Sequence, residues 1–272
     1  MRGNSTEKLR TLVSFARGAL TPPPGRRRVM IAFGYGALCH SIFAVAVLSM
    51  VIAMFFGMSE GFGRIAEPWS LFANAFLLLQ FPALHSFLLS RSGGWVLSRL
   101  APSGHGRTLS TTSYAIIASA QLCALFLLWT PSGVVWWRAE GALFAVLCCL
   151  YGLSWLLLLK ASFDAGAEVQ SGALGWMSMA ADRRPVFPDM PTTGLFRIIR
   201  QPIYVAFALT LWTVPVWTPD QLAVASTLTA YCLLAPLMKE RRFEARYGTR
   251  FRNYRAQVPY AFPSFTRTSP RE

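Results

Sequence analysis

The sequence predicts an all-α, polytopic membrane helix bundle of about six transmembrane helices, closed by a C-terminal helical hairpin and a polar tail. Three observations lead there. Hydrophobic residues make up 54% of the 272 positions and charged residues only 14%, where a soluble domain carries about 25% charged residues. The apolar residues gather into runs of roughly twenty, the length that crosses a bilayer as a helix. Basic residues flank those runs, as the positive-inside rule requires. This composition excludes a disordered chain, a collagen, a coiled coil or a disulfide scaffold, and it disfavours an ordinary soluble enzyme.

Residues 1–28 form a basic interfacial segment, and 29–272 the membrane domain. Leu9, Leu12, Val13, Ala16 and Leu20 recur at helical spacing, with Lys8, Arg10 and Arg17 on the other face. Such a helix lies on an anionic membrane surface. Asn4 with Glu7 three residues later marks its N-terminus, and Pro22-Pro23-Pro24 ends it. The candidate spans are 30–57, 70–89, 113–131, 141–159, 203–217 and 220–238. The fifth is short, and Trp217-Thr218-Pro219-Asp220 separates it from the sixth, so the two read as a tight hairpin bent at Pro215 and Pro219. Trp136, Trp137 and Trp217 stand at run ends, where an aromatic belt is expected.

Lys and Arg total 26 against 12 Asp and Glu, a net charge of +14. Nucleic-acid binding is one reading of such a balance, but cations placed at the ends of apolar runs fit membrane orientation better. The connection 90–112 holds Arg91, Arg99 and Arg107 without an acid. The alternate connections are acidic or balanced: Glu60, Arg64 and Glu67, then Arg138 and Glu140, then Asp220. Both termini are therefore expected on the cytoplasmic side. No internal repeat of the transporter kind is visible.

The five cysteines, Cys39, Cys123, Cys148, Cys149 and Cys232, lie inside apolar runs, and none forms a CxxC pair. The three histidines lack metal-ligand spacing, so no bound metal is expected. His85 is singled out as an ionisable group inside a span, where function is the default reading. His40 and His105 are read as structural or surface residues.

Polar chemistry concentrates in the last 80 residues or so. Arg200-Gln201-Pro202-Ile203-Tyr204 enters the fifth span; Lys239-Glu240 leaves the sixth; Tyr247-Gly248, Tyr254 and Val258-Pro259 follow. A short hairpin brings its two cytoplasmic ends together, so Arg200, Tyr204, Glu240 and Tyr254 are expected in one pocket at the membrane edge. An Arg before a Pro at a helix mouth offers donors and a helix N-terminus at one point, which suits an anion.

This pattern resembles the integral-membrane methyltransferases, the family that includes isoprenylcysteine carboxyl methyltransferases, phospholipid methyltransferases and bacterial methanethiol S-methyltransferases. Their tail carries an RHPxY box, a helical hairpin, an EE pair, FGxxYxxY and a final VP. Here these read RQPIY, KE, YGTRFRNY and VP. Upstream, Leu84-His85-Ser86, Tyr114 and Phe163-Asp164 stand where the methanethiol branch has an HS pair, a Tyr and a His-Phe-Asp segment. Gln201, Lys239, Ala206, Phe251 and Ser162 depart from the family residues. The resemblance implies S-adenosylmethionine in a pocket built from 192–263 by the hairpin and tail. Arg200, Gln201, Tyr204, Glu240 and Tyr254 would bind the cofactor, and His85 and Asp164 would serve catalysis. The implied partners are a small thiol or other lipophilic acceptor and the bilayer, without nucleic acid, and the implied location is a bacterial inner membrane. Oligomeric state is not legible. Two alternatives stay open: an NADPH-dependent membrane reductase of the steroid and sterol type, whose tail is similar, and a non-enzymatic membrane protein on the same scaffold.

The loop charges make a topological prediction. In a background without the native cysteines, Cys introduced at Phe62 or Arg138 should react with an impermeant thiol reagent only from outside the cell. Labelling from the cytoplasm alone would overturn the orientation.

Overall fold

The computed structural model describes residues 5–102 and 104–263 (the backbone alone for 5–8 and 11). The expected cap at Asn4 and the last nine residues lie outside them. Ten helices follow in order among the described residues: α1 Ser5–Leu20, α2 Arg26–Phe55, α3 Trp69–Leu88, α4 Arg91–Leu100, α5 Gly106–Leu127, α6 Gly141–Gln170, α7 Ala173–Ala180, α8 Pro202–Trp212, α9 Pro219–Tyr247 and α10 Thr249–Gln257. Two-residue strands, β1 Trp137–Arg138 and β2 Val216–Trp217, pair antiparallel.

Five helices, α2, α3, α5, α6 and α9, are long and apolar enough to cross a membrane. The expected fifth span is different. Its helix, α8, has 11 residues, about 16 Å of rise against a hydrocarbon core of about 30 Å. The chain then leaves helical geometry and continues through Thr213 to β2. Extended chain advances about 3.3 Å per residue, so helix and strand together traverse the depth that α8 alone does not. The extended part is tolerated because its polar groups are met: the Trp136 N–H donates to Trp217 O, and the Ala139 N–H to Pro215 O.

α5 sits at the centre, packed on α2, α3, α4 and α7, while α8 lies between α6 and α9. α6 presents Leu143, Phe144, Val146, Leu150, Leu153, Leu156 and Leu159 outward, which in a membrane means toward lipid. Met54, Met58, Leu125, Phe126, Leu211, Val214, Val224 and Leu228 form the main core. Polar side chains bind α3 to α5 and to the connection that follows it. The Asn74 amide exchanges hydrogen bonds with the Thr130 backbone at 2.8 and 3.0 Å. Gln80 and Gln121 donate to each other's backbone carbonyls at 3.1 and 2.9 Å.

One end of the bundle gathers the connections 56–68, 128–140 and 213–218. Asp220 organises it: the buried carboxylate accepts from Trp129 Nε1 at 3.0 Å, from the Ser132 N–H at 3.0 Å and from the Ser132 hydroxyl. Thr218 caps α9 by accepting from the Gln221 N–H at 2.9 Å, and its own hydroxyl donates to Gly57 O. The opposite end carries α1, α4, α7, residues 181–201 and α10.

Asp220→Ala should orphan the Trp129 and Ser132 donors and cost about 1.5–3 kcal/mol. The expected readout is a lower Tm in detergent, with Asp220→Asn intermediate because an amide oxygen still accepts one of the bonds.

Candidate functional site at the hairpin and tail

The site is assembled from pieces distant in sequence. Pro202 occupies the first turn of α8, where its missing N–H costs nothing. Arg200 and Gln201 therefore stand at the mouth of that helix. α9 continues beyond its apolar part to Tyr247, so one rigid helix carries Lys239, Glu240, Arg242 and Phe243 past the hairpin's base. Gly248, at φ +53°, turns the chain into α10, a backbone angle that favours glycine. α10 inserts the buried Phe251, and the chain then returns to the box. There the Arg200 N–H donates to Pro259 O at 2.9 Å and the Gln201 N–H to Tyr260 O at 3.1 Å.

Glu240 is the centre. One carboxylate oxygen, Oε1, accepts from Arg200 Nε at 2.9 Å and from Gln201 Nε2 at 2.7 Å. Arg200 Nη1 donates in addition to the carbonyls of Arg255 (3.0 Å) and Val258. Arg200 and Glu240 are each only 11% exposed in their side chains. The two residues expected to hold separate parts of a cofactor are thus paired with each other, and Arg200 fastens the tail to the hairpin. Tyr254 does related work: its hydroxyl donates to Phe196 O at 2.6 Å. Burial pushes that phenol above its ordinary range, with Arg200 pulling it back and Glu240 pushing it further up, so it stays a donor at neutral pH.

Gln201 and Lys239, two departures from the family pattern, form a single interaction. The Gln201 amide gives its NH₂ to Glu240 and takes a hydrogen bond from Lys239 Nζ at 3.0 Å on its oxygen. An amide has one donor end and one acceptor end, which fits one acid and one cation. The Lys239 ammonium also lies 5.5–5.6 Å from the ring centres of Phe196, Tyr204 and Phe243, within cation–π reach. Pro191, Phe196, Arg200, Gln201, Lys239 and Glu240 line part of the resulting cleft, with Phe243, Phe251 and Tyr254.

The two expected catalytic residues occupy different settings. Asp164, on α6, is 2% exposed. It pairs with Lys160 and accepts from the Leu195 N–H at 2.9 Å. Gly194, at φ +63°, brings the backbone so close to this carboxylate that a β-carbon there would collide with it. Asp164 thereby positions the 3₁₀ turn Gly194–Arg197, whose Phe196 also receives the Tyr254 bond. His85, on α3, faces α5 and α9: Tyr114 Oη is 2.6 Å from its Nε2, and its ring lies 4.9 Å from Phe81 and 6.1 Å from Tyr231. Tyr231, on α9, meets that ring nearly at right angles. Tyr204, on α8, flanks Lys239. Sequence reasoning did not find Tyr231, which looks like one aromatic among many in an apolar run.

The chain is similar to methanethiol S-methyltransferases. The enzyme of that name from Pseudomonas deceptionensis is 28% identical over 201 residues, 74% of this chain and 75% of the relative. One from Pseudomonas sp. (strain GM41(2012)) is 25% identical over 247 residues, covering 87% and 92%. One from Crocosphaera subtropica is 26% identical over 243 residues, covering 84% and 90%. The likeness extends well beyond the tail, in keeping with the integral-membrane methyltransferase resemblance of its motifs. No family model matches the chain, and no solved structure does.

Because Gln201 and Lys239 act as one unit, their substitutions should be non-additive. Lys239→Glu alone presents the Gln201 carbonyl oxygen to an acid and should lower Tm markedly. Adding Gln201→His supplies donors on both ring nitrogens when protonated and should recover part of that loss. Additive losses in the double variant would show that the two residues are independent.

Proposed function

We propose that the protein is an S-adenosylmethionine-dependent membrane methyltransferase whose acceptor is a small thiol. The supporting observation is the position of α9, which packs on α8 and on α3. On one side is the cleft formed by the box, α9 and the tail; on the other is the half-buried His85–Tyr114 pair. The relatives' printed name supplies the reaction class and the thiol.

The residues fit such a cofactor. With Arg200 spent on Glu240 and the tail, the carboxylate of the amino-acid end falls to Lys239, whose ammonium has a single hydrogen-bond acceptor, Gln201, among the described residues. The N-terminus of α8 adds partial positive charge at the same place. Glu240 has a second carboxylate oxygen for an amine or ribose hydroxyl. Tyr254 and Asp164 hold the turn that frames the cleft. When bound, the cofactor supplies an electrophilic methyl group.

The chain's own task is placement and proton removal. Proximity and alignment alone can supply about 7–11 kcal/mol in favourable systems. His85, whose Nδ1 and Nε2 lie 3.0 and 2.6 Å from Tyr114 Oη, is the base in this reading and takes the thiol proton as the sulfur forms the new bond. Phe81, Tyr114 and Tyr231 exclude water around it. The basic flanks support a cytoplasmic position for this end of the bundle.

The test is direct. S-adenosylhomocysteine should raise the Tm of the purified protein, whereas NADPH should not. Labelled methyl should pass from S-adenosylmethionine to a thiol in membranes. His85→Ala should lower turnover about 10²-fold or more while leaving the S-adenosylhomocysteine shift intact. A shift with NADPH instead would turn the reading to a reductase; a shift with neither would leave a non-enzymatic scaffold.

A further inference from the structure

A second cavity lies apart from the cleft, where α1 packs on α6 and α7. Leu12, Val13 and Ala16 of α1 form one wall; Ala167 of α6 and Ala173 and Met177 of α7 form the other. The volume is about 260 Å³, room for about nine waters at ~30 Å³ each. Water has little to hold there. Two polar residues reach the lining, Ser171 and Glu168, and the Ser171 hydroxyl already donates to Ala167 O at 2.8 Å. A cavity lined in this way suits an apolar occupant.

The bilayer supplies one. α1 leaves Leu9, Val13 and Leu20 more than half exposed, the row that an interfacial amphipathic helix buries at the acyl boundary. Val13 belongs both to that row and to the cavity wall, so the cavity opens toward acyl chains. Charges of both signs stand at its mouth. Arg10 and Arg17, three residues before and four after Val13, are its neighbours on the surface of α1, and both are exposed. On the α6 side, Glu168 is half-buried and has no hydrogen bond or ion pair among the described residues, in a chain of net charge +14. A carboxylate drawn out of water is stabilised by a cation, and the protein offers this one none.

We propose that the cavity is a binding site for phosphatidylethanolamine. An acyl chain fills the space between α1 and the α6–α7 wall, the primary ammonium bonds to Glu168, and the phosphate lies toward Arg10 and Arg17. The headgroup follows from the charges. An ammonium gives a carboxylate charge-assisted hydrogen bonds. The choline group of phosphatidylcholine has no N–H to give, and the headgroup of phosphatidylglycerol has no cation. The lipid would serve as mortar between α1 and the bundle, so that the basic segment is fixed by one specific lipid as well as by the membrane surface. The site is separate from the cleft, and the inference does not depend on the methyltransferase reading.

The experiment titrates the purified full chain in dodecylmaltoside with dioleoyl phosphatidylethanolamine, phosphatidylcholine and phosphatidylglycerol, which share both acyl chains and differ in headgroup. Bound lipid is counted by native mass spectrometry, and Tm is followed in parallel. The wild type should retain one phosphatidylethanolamine per chain at concentrations where the other two are lost, with the larger rise in Tm. Glu168→Gln preserves the side-chain shape. It should weaken phosphatidylethanolamine retention about tenfold or more, to the level of phosphatidylcholine, with the lipid-free Tm unchanged. Ala16→Phe fills the cavity from α1 and should abolish both the retention and the rise in Tm. Equal retention of all three lipids by the wild type overturns the inference and leaves only the ordinary lipid annulus. Stronger retention of phosphatidylglycerol overturns it in favour of a generally basic surface on α1. A preference for phosphatidylethanolamine that survives in folded Glu168→Gln, or in folded Ala16→Phe, overturns it as well. The three-lipid comparison needs no variant, so it decides the matter even where a substitution impairs folding.

Discussion

The Glu240 carboxylate is the contact on which the site end of the molecule depends. A nearly buried charge at the membrane edge is tolerable only when it is paired and hydrogen bonded, and Glu240 meets that condition by drawing in Arg200 and Gln201 from the far end of the hairpin. Arg200 then has donors left over, and they fall on the carbonyls that α10 and the following strand expose. One acid therefore closes the hairpin, orients the box and docks the tail. Removing either partner would leave the other charge buried and alone, at a cost of about 3–5 kcal/mol.

A second device supports the first from within the bilayer. Lipid tails provide no hydrophobic drive for one helix to choose another, so polar contacts and close packing decide which helices pair. α3 meets α5 and the connection after it through three polar pairings: Asn74 with the Thr130 backbone, Gln80 with Gln121, and His85 with Tyr114. The first two satisfy backbone groups and hold the helices in register. The third repeats the arrangement with two side chains, and it lies where α8 and α9 bring Tyr204 and Tyr231. A polar pair beside an opening can serve chemistry, whereas the same kind of pair deeper in the bundle holds structure.

Asp164 and Arg200 illustrate how a motif residue can act at one remove. Both carry charge and both were expected to touch ligand. The structure gives each a partner in the protein, a backbone turn in one case and a carboxylate with two carbonyls in the other. Each sets the position of the cleft wall. Lys239, where the family has the first Glu of its pair, is the cation beside the box that neither an acid nor a backbone carbonyl engages among the described residues.

The sequence alone determined the membrane class, the long apolar helices, the hairpin and the meeting of Arg200 with Glu240 and the tail. These follow from local facts: run length against bilayer thickness, Pro and Gly at helix ends, and a short connection that forces two ends together. It also singled out His85 as an ionisable group in an apolar run. What only the tertiary structure decided is which charges cancel. Gln201 and Lys239 read as two unrelated departures until one amide was seen to bridge an acid and an amine. The fifth span read as a helix until β2 found β1 on a loop 79 residues earlier. Tyr231 carries no signal in the chain, because hydropathy and spacing register how a residue sits on its own helix. Pairing between helices depends on rotation and depth within the bundle, and those are set by packing among segments that the sequence places far apart.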